Sequence, residues 1–136
     1  MKKLKILLIE DDAIEVMKLN RVIATLKLNH QIIETNNGEE ALEFLEESQE
    51  LPDIILLDLN MPKINGLEFL TILKRDKTLR FIPIVILTTS NNNKDLLECY
   101  RVGVSGYVLK PLKYEDYKVK IQTILMYWST NELINT

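Results

Sequence analysis

Three carboxylates, one hydroxyl and one amine stand where this sequence could do chemistry. Glu10 and Asp11 close the apolar run Leu4 to Ile9, and Asp58 closes Ile54 to Leu57. Thr88 follows Ile84 to Leu87, and Lys110, just before Pro111, follows Tyr107 to Leu109. If the runs lie side by side, the three acids share one pocket. Converging carboxylates repel, and a hard divalent cation such as Mg²⁺ relieves that repulsion while keeping room for waters and a phosphate. A hydroxyl and an ammonium on the same rim complement phosphoryl oxygens. Acids at strand ends also cap helices or sit solvated in loops, and spacing alone leaves that reading open for Asp11 and Asp58. Asp12, with Glu15 three residues on, has the pattern of a capping box.

The elements that must position these groups follow from periodicity. The runs Leu4 to Ile9, Gln31 to Thr35, Ile54 to Leu57, Ile84 to Leu87 and Tyr107 to Leu109 have strand length and are rich in Ile, Val and Leu. Nearly continuous apolar strands imply burial on both faces, hence a parallel sheet covered by helices. Between them, residues step by three and four. Val16, Leu19, Ile23 and Leu26 form one stripe, and Ala41, Leu42 and Leu45 form another within Gly38 to Ser48. Leu70 and Leu73, then Leu96, Leu97 and Tyr100, mark the next two helices. Tyr114, Tyr117, Ile121, Ile124, Leu125 and Trp128 mark the last. Five repeats of strand then helix predict a doubly wound α/β domain with right-handed crossovers. Ligands of such sheets gather at the carboxyl ends of the strands, where the five residues stand.

Composition bounds the rest. The 136 residues are 46% hydrophobic and 27% charged, as in one soluble globular domain. A net charge of −3 argues against a nucleic-acid-binding face. The apolar start of the chain is cut by Glu10, Asp11 and Asp12, too early for a signal peptide and far short of the roughly 20 residues that span a bilayer. With the single Cys99, no internal disulfide or thiolate metal cage can form, which suits a reducing cytoplasm. Cys99 reads as a small buried helix residue and His30 as a surface or edge residue. Lys2, Lys3 and Lys5 read as a solvated leading edge, and the residues after Trp128 as a polar tail. The domain is expected to span 1–136 with a core over about 4–127 and no output domain.

Four segments together resemble the receiver domain of bacterial response regulators: ILLIEDD (6–12), DIILLDLNMPKINGLEFL (53–70), PIVILTTS (83–90) and GVSGYVLKPL (103–112). They stand in the family's order and spacing, and the resemblance covers residues 4 to about 127. It implies a flavodoxin-like (βα)5 fold with strand order 2-1-3-4-5. It further implies that Asp58 accepts a phosphoryl group from a histidine kinase, with Mg²⁺ held by Glu10, Asp11, Asp58 and the backbone carbonyl of Asn60. Thr88 would be the switch hydroxyl and Lys110 the phosphoryl partner, with a cis bond before Pro111. Tyr107 occupies the aromatic switch position, though a ring packed permanently on the sheet is the competing reading. Asn65 and Gly66 would permit the turn after the acceptor. Asn60 and Ser90 would flank the path of the water that later hydrolyses the acyl phosphate.

Such a protein turns over no external substrate, so it is not expected to be an enzyme. An aspartyl phosphohydrolase would want a second acid two residues after Asp58, where Asn60 stands. A degenerate receiver, used only as an interaction module, would not be expected to retain Glu10, Asp11, Asp58, Thr88 and Lys110 together. Output is expected through a surface of the fourth helix, fifth strand and fifth helix, toward a downstream protein. The segment LTTSNNN is similar to stand-alone regulators that pair with phytochromes. That similarity implies a histidine kinase or phosphotransfer partner, a phytochrome kinase among the candidates. It also raises a homodimer through the last helices, with Tyr114, Tyr117 and Trp128 as an aromatic patch; the same residues also fit an inward stripe.

Overall fold

The computed structural model describes residues 2–134. Five strands and five α-helices alternate: β1 (Lys5–Ile9), α1 (Ala13–Thr25), β2 (Gln31–Thr35), α2 (Gly38–Glu47), β3 (Ile54–Leu57), α3 (Gly66–Arg75), β4 (Ile84–Thr88), α4 (Asn93–Val102), β5 (Gly106–Leu109) and α5 (Tyr114–Ser129). A 3₁₀ turn at Leu79–Phe81 leads into β4. All pairings are parallel, in the order β2-β1-β3-β4-β5. The expected doubly wound, flavodoxin-like fold is therefore what this chain adopts.

Strand alternation sorts the core into two layers. Leu7, Ile9, Ile55, Leu57, Ile84 and Ile86 face α2, α3 and α4, where Ala41, Leu45, Phe69, Leu70, Leu73 and Cys99 meet them. Ile6, Leu8, Ile54, Leu56, Val85 and Leu87 face α1 and α5, where Leu19, Val22, Tyr117, Ile121 and Leu125 meet them. Burial on both faces holds for β1, β3 and β4. It fails for β2 and β5, which lie at the sheet edges and keep Gln31, Glu34 and Leu109 exposed.

Several local expectations change. In α4 the residues that pack on the core are Cys99 and Val102; Leu96 is half-buried, and Leu97 and Tyr100 are exposed. Tyr117 is fully buried and Tyr114 and Trp128 pack against the same layer, so these aromatics form the inward stripe; Tyr127 is the exposed aromatic of α5. The segment after α5 is not merely a polar tail, because Leu133 packs on the core; Asn135 and Thr136 lie outside the described residues. Lys5 sits within β1, half-buried and paired with Glu50 at 3.5 Å, whereas Lys2 and Lys3 are exposed. No helix among the described residues is long and apolar enough to cross a membrane.

Candidate functional site

Register places the chemistry. Ile9 pairs with Leu57 and Leu57 with Ile86, so the residues that follow these strands emerge on one rim. The ladder runs one rung further: Asp58 N donates to Ile9 O at 3.2 Å, and Lys110 N to Thr88 O at 2.8 Å. Glu10, Asp11 and Asp58 thus each present a carboxylate oxygen, all within 4.8 Å of one another. Asp11 is exposed, whereas Glu10 is 4% and Asp58 9% exposed.

Burial sets the electrostatics. It pushes the Glu10 carboxyl up to about 7; Lys110 opposes the rise, and Asp58 and Asp11 add to it. Asp58 is also raised, by burial first, with Lys110 and the Asn60 backbone amide holding it down and Asp11 pushing it up. Two buried acids beside an exposed one form an all-oxygen donor set, which fits a hard cation such as Mg²⁺ or Mn²⁺ and not a thiophilic metal. Beside it lies an open cavity of about 450 Å³, lined by Asp11, Asn60, Met61, Pro62, Asn65 and Asp95 among others.

Thr88 is fully buried, and its Oγ1 accepts the Ser90 N–H at 3.2 Å, leaving its own proton to donate. The Lys110 side chain is 7% exposed and does have a carboxylate partner, in fact two: Glu10 Oε2 at 3.5 Å and Glu15 Oε2 at 3.7 Å. Asp58 is not among its ion pairs. Glu15 is the residue that sequence reasoning misplaced. It does not reach back to complete a capping box; Asp12 alone caps α1, accepting the Ile14 N–H at 2.9 Å. Instead Glu15 lies between Lys110 and Lys18, the latter at 3.5 Å, beside Tyr117, whose ring Lys18 covers. Burial first, then Glu15 and Glu10, drive the Tyr117 hydroxyl above its ordinary range. The available signal was position: Glu15 stands in the first turn of α1, which starts at the rim that Glu10 and Asp11 form.

Around the switch position, the half-buried Tyr107 donates its hydroxyl to the Ser90 carbonyl at 2.9 Å. The Lys110–Pro111 bond is trans, as no cis peptide occurs among the described residues; the Lys110 N–H continues the β4–β5 ladder in that form, and trans is the lower-energy state by about 0.5–1 kcal/mol. Neither Asn65 nor Gly66 takes a left-handed conformation in the turn after Asp58; Lys63 does, with φ 64°. Gly66 is needed for closeness: a Cβ there would stand 2.6 Å from the Asp58 carbonyl oxygen and 2.7 Å from Leu59 Cα. His30 is remote from the rim, but it is not a surface residue. It is 8% exposed, and its Nδ1 accepts the Leu4 N–H at 2.9 Å. Cys99 is buried as expected, and burial pushes its thiol up to about 11.

Known proteins share this fold. The family model of the response regulator receiver domain matches residues 6–122. The chain is 39% identical over 127 residues to the probable methanogenesis regulatory protein FilR2 of Methanothrix harundinacea, covering 90% of this chain and 82% of that one. It is 35% identical over 128 residues to the response regulator Rcp1 of Synechocystis, covering 90% and 87%. The Mn²⁺-bound structure of Rcp1 superposes with a TM-score of 0.87 at 34% identity, covering 96% of this chain and 99% of that one. The phosphorylated cyanobacterial phytochrome response regulator RcpA superposes with a TM-score of 0.90 at 33% identity, covering 96% and 98%. With its fold, its acidic rim and these relatives in agreement, the chain belongs to the response regulator receiver family.

Proposed function

We propose that this protein is a stand-alone response regulator whose Asp58 takes a phosphoryl group from a phosphohistidine, and that this event switches a protein-binding surface. The observation that carries the reading is the gathering of Glu10, Asp11 and Asp58 within 4.8 Å, on the rim that also holds Thr88 and Lys110. Glu10, Asp11, Asp58 and the Asn60 backbone carbonyl would hold Mg²⁺. When bound, that ion neutralises the charge that builds on the transferring phosphoryl oxygens. An Asp58 carboxylate oxygen attacks phosphorus in line, the P–N bond breaks, and its electron pair returns to the imidazole of the donor. Thr88 donates its free hydroxyl proton to one phosphoryl oxygen, and Lys110 swings from Glu10 and Glu15 to another. No external substrate is turned over, so the protein acts as a signalling switch and not as an enzyme.

The output surface is α4, β5 and α5. Leu97 and Tyr100 on α4, Leu109 on β5, and Val119, Met126 and Tyr127 on α5 are all exposed apolar residues there. Tyr107 links this surface to the rim through Ser90. The same surface serves a downstream protein or a second copy of the chain. RcpA is a phytochrome response regulator, which supports a phytochrome-type histidine kinase as the cytoplasmic donor. Residues 1–136 act as one receiver domain.

Acetyl phosphate with Mg²⁺ tests the reading. One phosphoryl group should be gained per chain, seen by intact mass, and Asp58→Asn should abolish it; no labelling sinks the assignment. Size exclusion with beryllofluoride and Mg²⁺ tests assembly, and an unchanged monomer rules out the phosphorylation-linked dimer.

A further inference from the structure

The ammonium of Lys110 stands between two carboxylates that do different work. Glu10 Oε2 lies 3.5 Å from Lys110 Nζ, and Glu15 Oε2 lies 3.7 Å from it. Glu10 belongs to the three acids gathered within 4.8 Å of one another; Glu15 stands outside that group. Helix capping does not use Glu15 either, because Asp12 alone caps α1. Yet its Oε2 is buried without a hydrogen-bond partner. An oxygen placed there gives up its bonds to water, and the charge of Lys110 is what offsets the loss.

The other oxygen of Glu15 faces a second cation. Its Oε1 lies 3.5 Å from Lys18 Nζ, three residues on along α1, and Lys18 in turn sits 4.6 Å above the Tyr117 ring. One carboxylate is thus divided between two ammonium groups, and Lys18 weakens the pull that Glu15 exerts on Lys110. Glu10, Glu15, Asp58 and Lys110 all line one small pocket, so Lys110 stays within it on the way to a group on Asp58.

We infer that Glu15 is a positioning residue that keeps Lys110 in reserve: it sets how readily Asp58 is phosphorylated, and Lys18 moderates its grip. This rests on Asp58 being the acceptor. With acetyl phosphate as donor, an Asp58 oxygen bonds to phosphorus, the bond from phosphorus to the acetyl oxygen breaks, and its electron pair leaves with acetate. Lys110 reaches a phosphoryl oxygen only by giving up Glu15. The ion pair therefore stabilises the resting chain and not the transition state. Hydrolysis of the acyl phosphate starts with that pair already broken.

The test follows phosphorylation of the full chain by acetyl phosphate and Mg²⁺, then decay after the donor is removed. Glu15→Gln keeps the shape and removes the charge; phosphorylation should be about threefold faster, the scale of one partly exposed ion pair. Lys18→Met leaves Glu15 to Lys110 alone and should be about twofold slower. The double variant should be as fast as Glu15→Gln, because Lys18 acts through Glu15. Decay should be the same in parent and variants. A general charge effect on the anionic donor would instead return the double variant to the parent rate, and a loosened α1 would change decay as well. Either result overturns the inference, as does an unchanged or slower Glu15→Gln, while Asp58 remains the acceptor. A parent chain that takes no phosphoryl group overturns both.

Discussion

At the amino ends of the strands, His30 accepts the Leu4 N–H at 2.9 Å and Asp53 accepts the Lys5 N–H at 2.7 Å, whereas at the carboxyl ends Glu10, Asp11 and Asp58 crowd within 4.8 Å. The first rim uses polar side chains to complete the backbone, so that buried N–H groups find partners. The second presents charges that the protein itself does not match: Lys110 serves Glu10 and Glu15, and Asp58 is raised by burial. One end completes the backbone's hydrogen bonds, and the other gathers charge. Removing a polar group should therefore hurt at one end and help at the other.

The largest contrast is expected from the cation. Mg²⁺ at a hundred times its dissociation constant should stabilise the parent chain by about 2.7 kcal/mol in denaturant titrations. Asp11→Ala should lose that gain, while Asp53→Ala should keep it. Next, Asp53→Ala should cost about 2 kcal/mol without metal, the range for a hydrogen bond to a charged group. Asp58→Asn, by contrast, should stabilise the metal-free chain by about 1 kcal/mol, as relief of a functional site commonly does. A destabilised Asp58→Asn would break the comparison.

The smallest effect is in pH dependence, where the rims have opposite signs. Folded Glu10 has its carboxyl raised from 4.5 to about 7, so its share of stability is present below 4.5 and is lost as pH rises through about 7. Folded His30 has its pKa lowered from 6.5 by burial, so its share is present above 6.5 and is lost as pH falls below that value. Melting temperatures measured in EDTA should show Glu10→Gln removing the first slope and His30→Asn the second. If both substitutions changed the slope in the same direction, the opposition would be wrong.

Much of this was legible in the sequence because strand ends are local. Each apolar run hands its next residue to the rim, so Glu10, Asp58, Thr88 and Lys110 could be placed by counting. What counting could not supply was partnership across the chain. Glu15 reads locally as half of a cap; only the fold brings Lys110 near enough to claim it. His30 reads as an edge residue until β1 and β2 pair and its Nδ1 meets the Leu4 N–H. The α4 stripe was misassigned because Leu97 and Tyr100 look apolar, while the smaller Cys99 is the residue that fits against α3 and the sheet. An exposed apolar side chain carries no mark in the sequence that separates it from core.

The close seat of Gly66 has a mechanical consequence. With no room for even a Cβ between α3 and the backbone at Asp58 and Leu59, and with Gly66 N bonded to Leu59 O at 3.0 Å, Asp58 stands on an anvil. A new group on Asp58 cannot be accommodated by recoil on that side. Under the proposed function, the strain would go the other way, toward Thr88, Ser90 and Tyr107, which are joined by hydrogen bonds. Under the proposed function, a stiff mount facing a pliable one would give the signal a direction, away from α3 and toward α4 and β5.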